Sequence, residues 1–397
     1  MNVLIVSFFY APEIGAAPSR IYSMAKGIQS HSHKVEVLTC MPNYPKGRIF
    51  EKYRGCLSRH EEMNDIKVHR YWTYATLSKN PIRRILSMFS FAFMLWCFAI
   101  HFLRIRRYDR VIIQSPPLPV GMSAILLFKC LYHRQTIVNI SDLWPISAVE
   151  LGALREGSAI HKLLLWMERF IYKHADAVQG QSQEILDHVL SFYPEKRTFL
   201  YRNLQLPVKT GPVAEHKQHP VFRIIYAGLL GVAQDVLSIV EQIDFKALGT
   251  ELHIFGGGIQ LEQIEAYIKN HDTGIFYHGF LEKTEMIKEL QGYDASIVPL
   301  TVQITGAVPS KIFDLMSVGV PILLCGSGEA AAIVRDYGIG LVSAPQDIDA
   351  LRENIQTMAK MTSDEQAAIK QKCIDASKQD FSFENQMNRY SKWFSGN

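Results

Sequence analysis

Short unbroken apolar runs recur along this chain, each closing on glycine, proline or small residues before a stretch with helical spacing. Asn2 to Phe9, Val35 to Thr39, Asp109 to Ser115, Thr136 to Ile140, Asp176 to Gly180 and Thr198 to Arg202 read as buried strands. The pattern restarts with Phe222 to Ala227, Glu251 to Phe255, Gly274 to Gly279, Ala295 to Leu300 and Ile322 to Leu324. Strand, loop and helix in alternation predict parallel sheets covered on both faces, so the fold class is α/β. Between the two series, Gln205 to Pro220 is polar, rich in proline and lysine and aperiodic. The expected division is a first Rossmann-like domain at 1–204, a linker at 205–221 and a second Rossmann-like domain at 222–378. The aromatic, amphipathic tail at 379–397 is expected to form a helix that returns to the first domain.

In open sheets of this kind, ligands gather at the carboxyl ends of the strands. Gly15 and Ala16 follow the first strand and let backbone N–H groups come near a phosphate or sugar. Gly231 and Gln234 stand in the same place after the first strand of the second series, and Gly256 and Gly257 after the next. The stretch VPSKIFDLMSVGVPILLCGSGE, from Val308 to Glu329, is the densest. Pro309 and Ser310 open a helix, serine having an oxygen that can cap a free N–H. Lys311 and Asp314 follow one turn apart on one face. A lysine beside a helix N-terminus seats a phosphate, and a carboxylate one turn on can accept from a ribose hydroxyl. The same residues would also serve as a plain cap and a surface ion pair.

Composition narrows the reading. Of 397 residues, 48% are hydrophobic and 20% charged, an ordinary globular balance with room for two domains. A net charge of +4 without an aromatic-interleaved basic stripe gives no support to nucleic-acid binding. The six cysteines are scattered without metal spacing and read as reduced core residues. The opening MNVLIVSFF has no basic n-region and reads as a strand rather than a leader. One segment departs from the average: Ile85 to Leu103 is almost wholly apolar, bracketed by Arg83, Arg84, Arg104, Arg106 and Arg107. A helix at 83–107 that lies on an anionic membrane surface is the preferred reading; a buried helix and a true span are the alternatives.

Among carboxylates, Asp142 follows the Thr136–Ile140 strand in SDLWP and is a candidate catalytic or acceptor-binding group, or a turn cap. Glu168 lies inside the helix Ile160 to Lys173 and reads as an ion-pair partner. Asp347 and Asp349 have the spacing of a metal-binding pair, but they precede a helix and read as its cap.

With FYAPEIGAAPSR, MPNYPKG, SPPLPVG, SDLWP, AGLLGVAQD, FGGG, HGFLEKTEM, VPSKIFDLMSVGVPIL and GEAAAIV in order, the chain resembles bacterial GT-B glycosyltransferases of family four over nearly its whole length. The likeness is strongest to the branch that builds O-antigen, capsule and colanic-acid units, L-N-acetylfucosaminyl transferases included. The resemblance implies two Rossmann-like doubly wound parallel-sheet domains facing across a cleft, the first for the acceptor and the second for a UDP-sugar donor, with no metal requirement. It assigns Asp314 to the second glutamate of the family's paired-glutamate motif, which holds the ribose. Gly306 stands where the first glutamate sits, a departure that suits a donor lacking a hydroxyl. An Arg/Lys pair common in relatives is missing from GLLGVAQD, so Lys311, Ser310 and backbone N–H groups at Gly15 and Gly231 are left to hold the diphosphate. Phe280 and Leu281 match the stretch whose backbone meets the base, Val308 and Pro309 the lead into the helix. Glu329 lies where it could reach the ribose or cap its own helix.

The expected activity is retaining transfer of an N-acetyl-L-fucosamine or other N-acetylhexosamine from UDP to an undecaprenyl-diphosphate-linked sugar, at the inner face of the cytoplasmic membrane. Asp142 and Lys311 are the expected catalytic residues. A UDP-N-acetylhexosamine epimerase of the same fold and a non-catalytic partner subunit are the alternatives.

Overall fold

The computed structural model describes residues 1–78, 80–101, 107–207 and 219–396. It divides into two compact units, Met1–Leu206 with Gln386–Asn397, and Pro207–Asn385. Most of the segment read as a linker, residues 208–218, lies outside the described residues.

The first unit is built on an eight-stranded sheet. Its strands are β1 (Asn2–Val6), β2 (Lys34–Cys40), β3 (Ser58–Met63), β4 (Ile66–Tyr71), β5 (Arg110–Ser115), β6 (Gln135–Ile140), β7 (Ala177–Gly180) and β8 (Arg197–Leu200). They lie in the order β3-β4-β2-β1-β5-β6-β7-β8. All neighbours run parallel except the β3–β4 hairpin, which the sequence reading missed. Strand β3 (SRHEEM) alternates in burial and faces solvent on one side, so it lacks the apolar run that marks its neighbours. The core joins β1, β2, β5, β6 and β7 through Leu4, Val6, Leu38, Val111, Val138 and Val178. The tail forms a helix, Phe383–Ser395, which belongs to this same unit from Gln386 onward. Met387 fills the space beside Gly27, and the Tyr390 hydroxyl donates to Gln179 Oε1 at 2.7 Å.

The second unit has six parallel strands: β9 (Phe222–Leu229), β10 (Thr250–Gly257), β11 (Ile275–Tyr277), β12 (Ala295–Pro299), β13 (Ile322–Cys325) and β14 (Gly340–Ser343). Their order is β11-β10-β9-β12-β13-β14, the doubly wound order in which the chain reverses direction between β9 and β12. The same reversal falls between β1 and β5 in the first sheet. Each reversal leaves a crevice beyond the carboxyl ends of two adjacent strands, where backbone groups are free to meet a ligand.

The apolar segment of the first unit is a helix over Pro81–His101. Arg104 and Arg106 lie outside the described residues. Arg107 does not belong to a free basic flank: its guanidinium donates to Glu36 Oε2 at 2.5 Å and to the Tyr108 hydroxyl at 2.8 Å. Among the described residues, no helix is long and apolar enough to cross a membrane.

Candidate functional site

At the reversal in the second sheet, β9 closes on Gly228 and Leu229, and the helix Lys311–Ser317 follows β12. Lys311 reaches from that helix to the end of β9. Its Nζ lies 4.5 Å from the centroid of the Tyr226 ring. Burial, with no carboxylate partner among the described residues, pushes its pKa down from 10.5 to about 8. A Cβ on Gly228 would stand 2.1 Å from that Nζ, so only glycine leaves the lysine its place. The neighbouring glycines serve backbone approach in the same way: a Cβ on Gly256 would meet Gly228 O at 1.8 Å. The Gly256 N–H donates to Gly279 O at 2.8 Å and Leu230 N–H to Gly257 O at 2.9 Å, which ties the three loops together.

Asp314 pairs with a lysine of another helix. Its carboxylate meets Lys283 Nζ at 3.5 Å, and burial holds its pKa above the usual carboxylate range despite that cation. Lys283 starts the helix Lys283–Leu290, directly after Phe280, Leu281 and Glu282. The ion pair therefore fastens the Phe280–Leu281 loop to the Lys311 helix. Phe280 itself is 71% exposed, a large ring held off the core. Lys283 was not singled out by sequence reasoning, although it lies within the HGFLEKTEM stretch.

Ser310 departs from its expected part. Its backbone is already helical (φ −62°, ψ −20°) and its side chain makes no cap hydrogen bond. Ile312 and Phe313 N–H donate back to Pro309 O and Ser310 O at 3.1 Å, so the backbone closes the first turn itself. Gly306 is buried with φ +80°, in the left-handed region. A glutamate there would be strained, so the departure from the motif is built into the backbone. Glu329 sits in the first turn of the helix Gly328–Asp336.

Gln234 belongs to a cavity wall. It lines a cavity of about 380 Å³ with Asp235, Thr301, Cys325 and Asp347, whose wall includes none of Lys311, Asp314, Phe280 or Leu281. Gly231 lies beside it, a Cβ there falling 3.2 Å from Gln234 Oε1. Asp347 accepts from the Ala350 N–H at 3.0 Å and caps the helix Ile348–Ala359, while Asp349 pairs with Arg352 at 2.5 Å. Both aspartates are thus engaged in the helix start. Among the described residues, no group of three or more His, Cys, Asp or Glu side chains is placed to hold a metal ion.

In the first unit, Gly15 caps the helix Ala16–Ser30 with φ +150°, and its Cβ position lies 3.4 Å from the Tyr44 ring. The MPNYPKG loop is held against it by buried Glu13, whose Oε1 accepts from the N–H of Asn43 at 2.8 Å and of Tyr44 at 2.9 Å. Arg20, one turn into the same helix, is the cation that acts on Asp142. Burial raises the Asp142 pKa; Arg20 and the Ser141 hydroxyl, 3.0 Å away, oppose that rise. The Arg20 pKa is lowered by burial, and its Nε has no hydrogen-bond partner among the described residues. Neither Glu13 nor Arg20 was singled out by the sequence reading; each lies inside FYAPEIGAAPSR, where no period marks it.

Two doubly wound parallel-sheet units in one chain define a GT-B fold. Residues 15–201 match the family described as Glycosyl transferase 4-like domain, and residues 222–361 match Glycosyl transferases group 1. The chain carries both glycosyltransferase domains in series and is a glycosyltransferase. It is similar to the probable glycosyltransferase WbjE of Pseudomonas aeruginosa, at 26% identity over 274 residues, covering 65% of this chain and 68% of that protein. In fold it resembles the trehalose-6-phosphate structure from E. coli bound with UDP-2-fluoro glucose (TM-score 0.71, 10% identity, all of both chains). It also resembles sucrose-phosphate synthase of Thermosynechococcus elongatus (TM-score 0.71, 14% identity, 99% of this chain and 98% of that one). The third likeness is to S. aureus TarM in a complex containing alpha-GlcNAc-glycerol and UDP (TM-score 0.64, 9% identity, all of both chains).

Proposed function

We propose that the chain transfers an N-acetylhexosamine, N-acetyl-L-fucosamine by the reading of its sequence, from UDP to an undecaprenyl-diphosphate-linked sugar in bacterial O-antigen or capsule assembly. The observation that carries the proposal is the desolvated Lys311 ammonium at the reversal of the second sheet, with no carboxylate among the described residues to neutralise it. Such a charge is suited to the diphosphate of a nucleotide sugar, which would replace the missing counter-ion. Asp314, tied to the Phe280–Leu281 loop by Lys283, would accept from ribose hydroxyls. Similar folds with bound UDP-2-fluoro glucose and with UDP support a uridine nucleotide as donor.

In the reaction, the bond from the anomeric carbon to the UDP oxygen breaks and a bond to the acceptor oxygen forms on the same face. The acceptor proton passes to the departing diphosphate, so the leaving group acts as its own base. Lys311 stabilises the negative charge that develops on that oxygen, and Asp142 orients the acceptor hydroxyl or stabilises the cationic sugar. The absence of a polar side chain at Gly306 favours a 6-deoxy amino sugar. Neither catalytic role requires a metal. We place the enzyme on the inner face of the cytoplasmic membrane, where lipid-linked acceptors are met.

The test is a transfer assay with UDP- and GDP-sugars and a short-chain lipid-diphosphate GlcNAc acceptor, with EDTA present, followed by product mass. The expected result is one UDP-amino sugar accepted, with product lost in Lys311→Ala and Asp314→Ala. Interconversion of free UDP-sugars without transfer would favour an epimerase, and activity abolished by EDTA would sink the metal-free mechanism.

A further inference from the structure

We infer that the helix Ala159–His174 joins the helix Pro81–His101 in a single docking face for an anionic lipid bilayer. The sequence pointed to the second of these helices alone. Along Pro81–His101 the exposed large side chains are Leu86, Phe89, Phe93 and Trp96, which recur at three and four residues and so form one stripe. Along Ala159–His174 the corresponding stripe is Ile160, Leu163 and Trp166, with Trp166 53% exposed. Isolated exposed apolar residues are ordinary on a protein surface. Two stripes of large side chains on helices of one layer form an extended patch, which is not.

The two helices are tied through the segment that begins with the helix Leu118–Ala124. Trp96 Nε1 donates to Ser123 Oγ at 2.9 Å, and Ser123 Oγ donates to Ala92 O at 2.8 Å. On the other helix, Ile171 packs 3.1 Å from where a Cβ on Gly121 would lie. Leu131, at the far end of this segment, is exposed as well. The apolar stripes thus lie on the outer side of one helical layer, with their buried faces turned to the core around Phe91, Leu95 and Ile171.

The charge around the stripes selects the partner. The exposed basic residues are Arg83 and Arg84 on one helix and Lys162, Arg169 and Lys173 on the other. Lys162, Arg169 and Lys173 follow one another on a line beside the Ile160–Trp166 stripe, spaced as a helix row. Neither helix exposes an acid: Pro81–His101 has none, and Glu168 is fully buried against His188 and Tyr172. Aromatic and aliphatic side chains with a purely basic margin fit the boundary of a bilayer whose headgroups are phosphates. The inference rests on the proposed function only for the membrane being the source of the acceptor.

The test is co-sedimentation of the full chain with vesicles of phosphatidylethanolamine and phosphatidylglycerol, against vesicles of phosphatidylcholine alone. Binding is expected to the first and not the second, and to weaken as salt is added. Phe93→Glu and Trp166→Glu should each lower the partition about tenfold, and Lys162→Glu with Arg169→Glu should remove the preference for anionic lipid. UDP affinity is expected to stay at the wild-type value in all of them, and melting temperature in all but the Arg169 variant, whose guanidinium stacks on the Phe192 ring. Wild-type partition in Trp166→Glu would overturn the two-helix face, and so would failure of the wild type to bind anionic vesicles. Light scattering that shows a dimer dissociated by Trp166→Glu, with vesicle binding unchanged, would assign the face to a second copy of this chain. Transfer to the short-chain acceptor without vesicles reports on the proposed function separately, so either reading can fail alone.

Discussion

Lys311 holds its ammonium 4.5 Å from the centroid of the Tyr226 ring, in the space that a side chain on Gly228 would occupy. The ring offers the cation a polarisable face but no negative charge, so the site stays positive until an anion arrives. Gly228→Ala is expected to force the lysine aside and reduce UDP affinity about tenfold, the worth of one charge-assisted contact. Titration calorimetry with UDP measures this, and unchanged affinity would show that the lysine does not touch the nucleotide.

The depressed pKa of Lys311 gives binding a pH dependence with a definite sign. The free enzyme holds the ammonium below about pH 8 and loses the proton above it. A diphosphate prefers the charged form, so UDP affinity should be level below pH 8 and fall as pH rises beyond it. Stability runs the other way. The folded pKa lies below the unfolded value, so the cost of burying the charge is complete below pH 8 and is relieved as pH climbs toward 10.5. Lys311→Met should therefore abolish transfer while raising the melting temperature at neutral pH, by about 2 kcal/mol of stability.

Asp314 and Lys283 should behave as a coupled pair. Their side chains are partly exposed, so the ion pair adds at most about 1 kcal/mol to stability. Its value lies in placement. Asp314→Ala is expected to raise the donor KM about tenfold and Lys283→Ala by less, with the double variant close to Asp314→Ala. A double-mutant cycle on KM checks this, and full additivity would show that the two residues act independently.

Gly306 has a left-handed backbone at φ +80°. Replacing it with the glutamate that relatives carry should destabilise the protein by about 1 kcal/mol without tightening donor binding. Thermal melting and UDP-sugar affinity measure the two effects. A gain in affinity would show that the backbone can readjust.

In the first unit, Asp142→Asn should lower kcat/KM for the acceptor about a hundredfold while leaving UDP affinity unchanged. Arg20→Met, which removes the cation acting on Asp142, should shift the acceptor pH profile upward, because only the Ser141 hydroxyl then opposes the rise that burial causes. An unaltered profile would mean that Arg20 serves packing alone.

What the sequence by itself determined is local. The apolar runs placed eleven of the fourteen described strands, because a strand buried on both faces must be apolar throughout. Three strands escaped: β3 faces solvent, β4 (IKVHRY) interleaves charged residues with its apolar ones, and β14 (GLVS) is a short half-buried edge. Glycines at the strand ends and the helix carrying Lys311 and Asp314 were legible for a similar reason: turns and helix starts depend on residues within a few positions. The tertiary structure alone decided which side chains meet. Lys283 reaches Asp314, Arg20 acts on Asp142, Gln234 turns to a separate cavity and Arg107 is claimed by Glu36. None of these pairings has a period or a spacing, because each joins elements brought together by sheet order and packing. The stripe Ile160, Leu163 and Trp166 is visible as helical spacing in the sequence. Only the burial of the opposite helix face, against Leu118–Ala124, shows that it points outward.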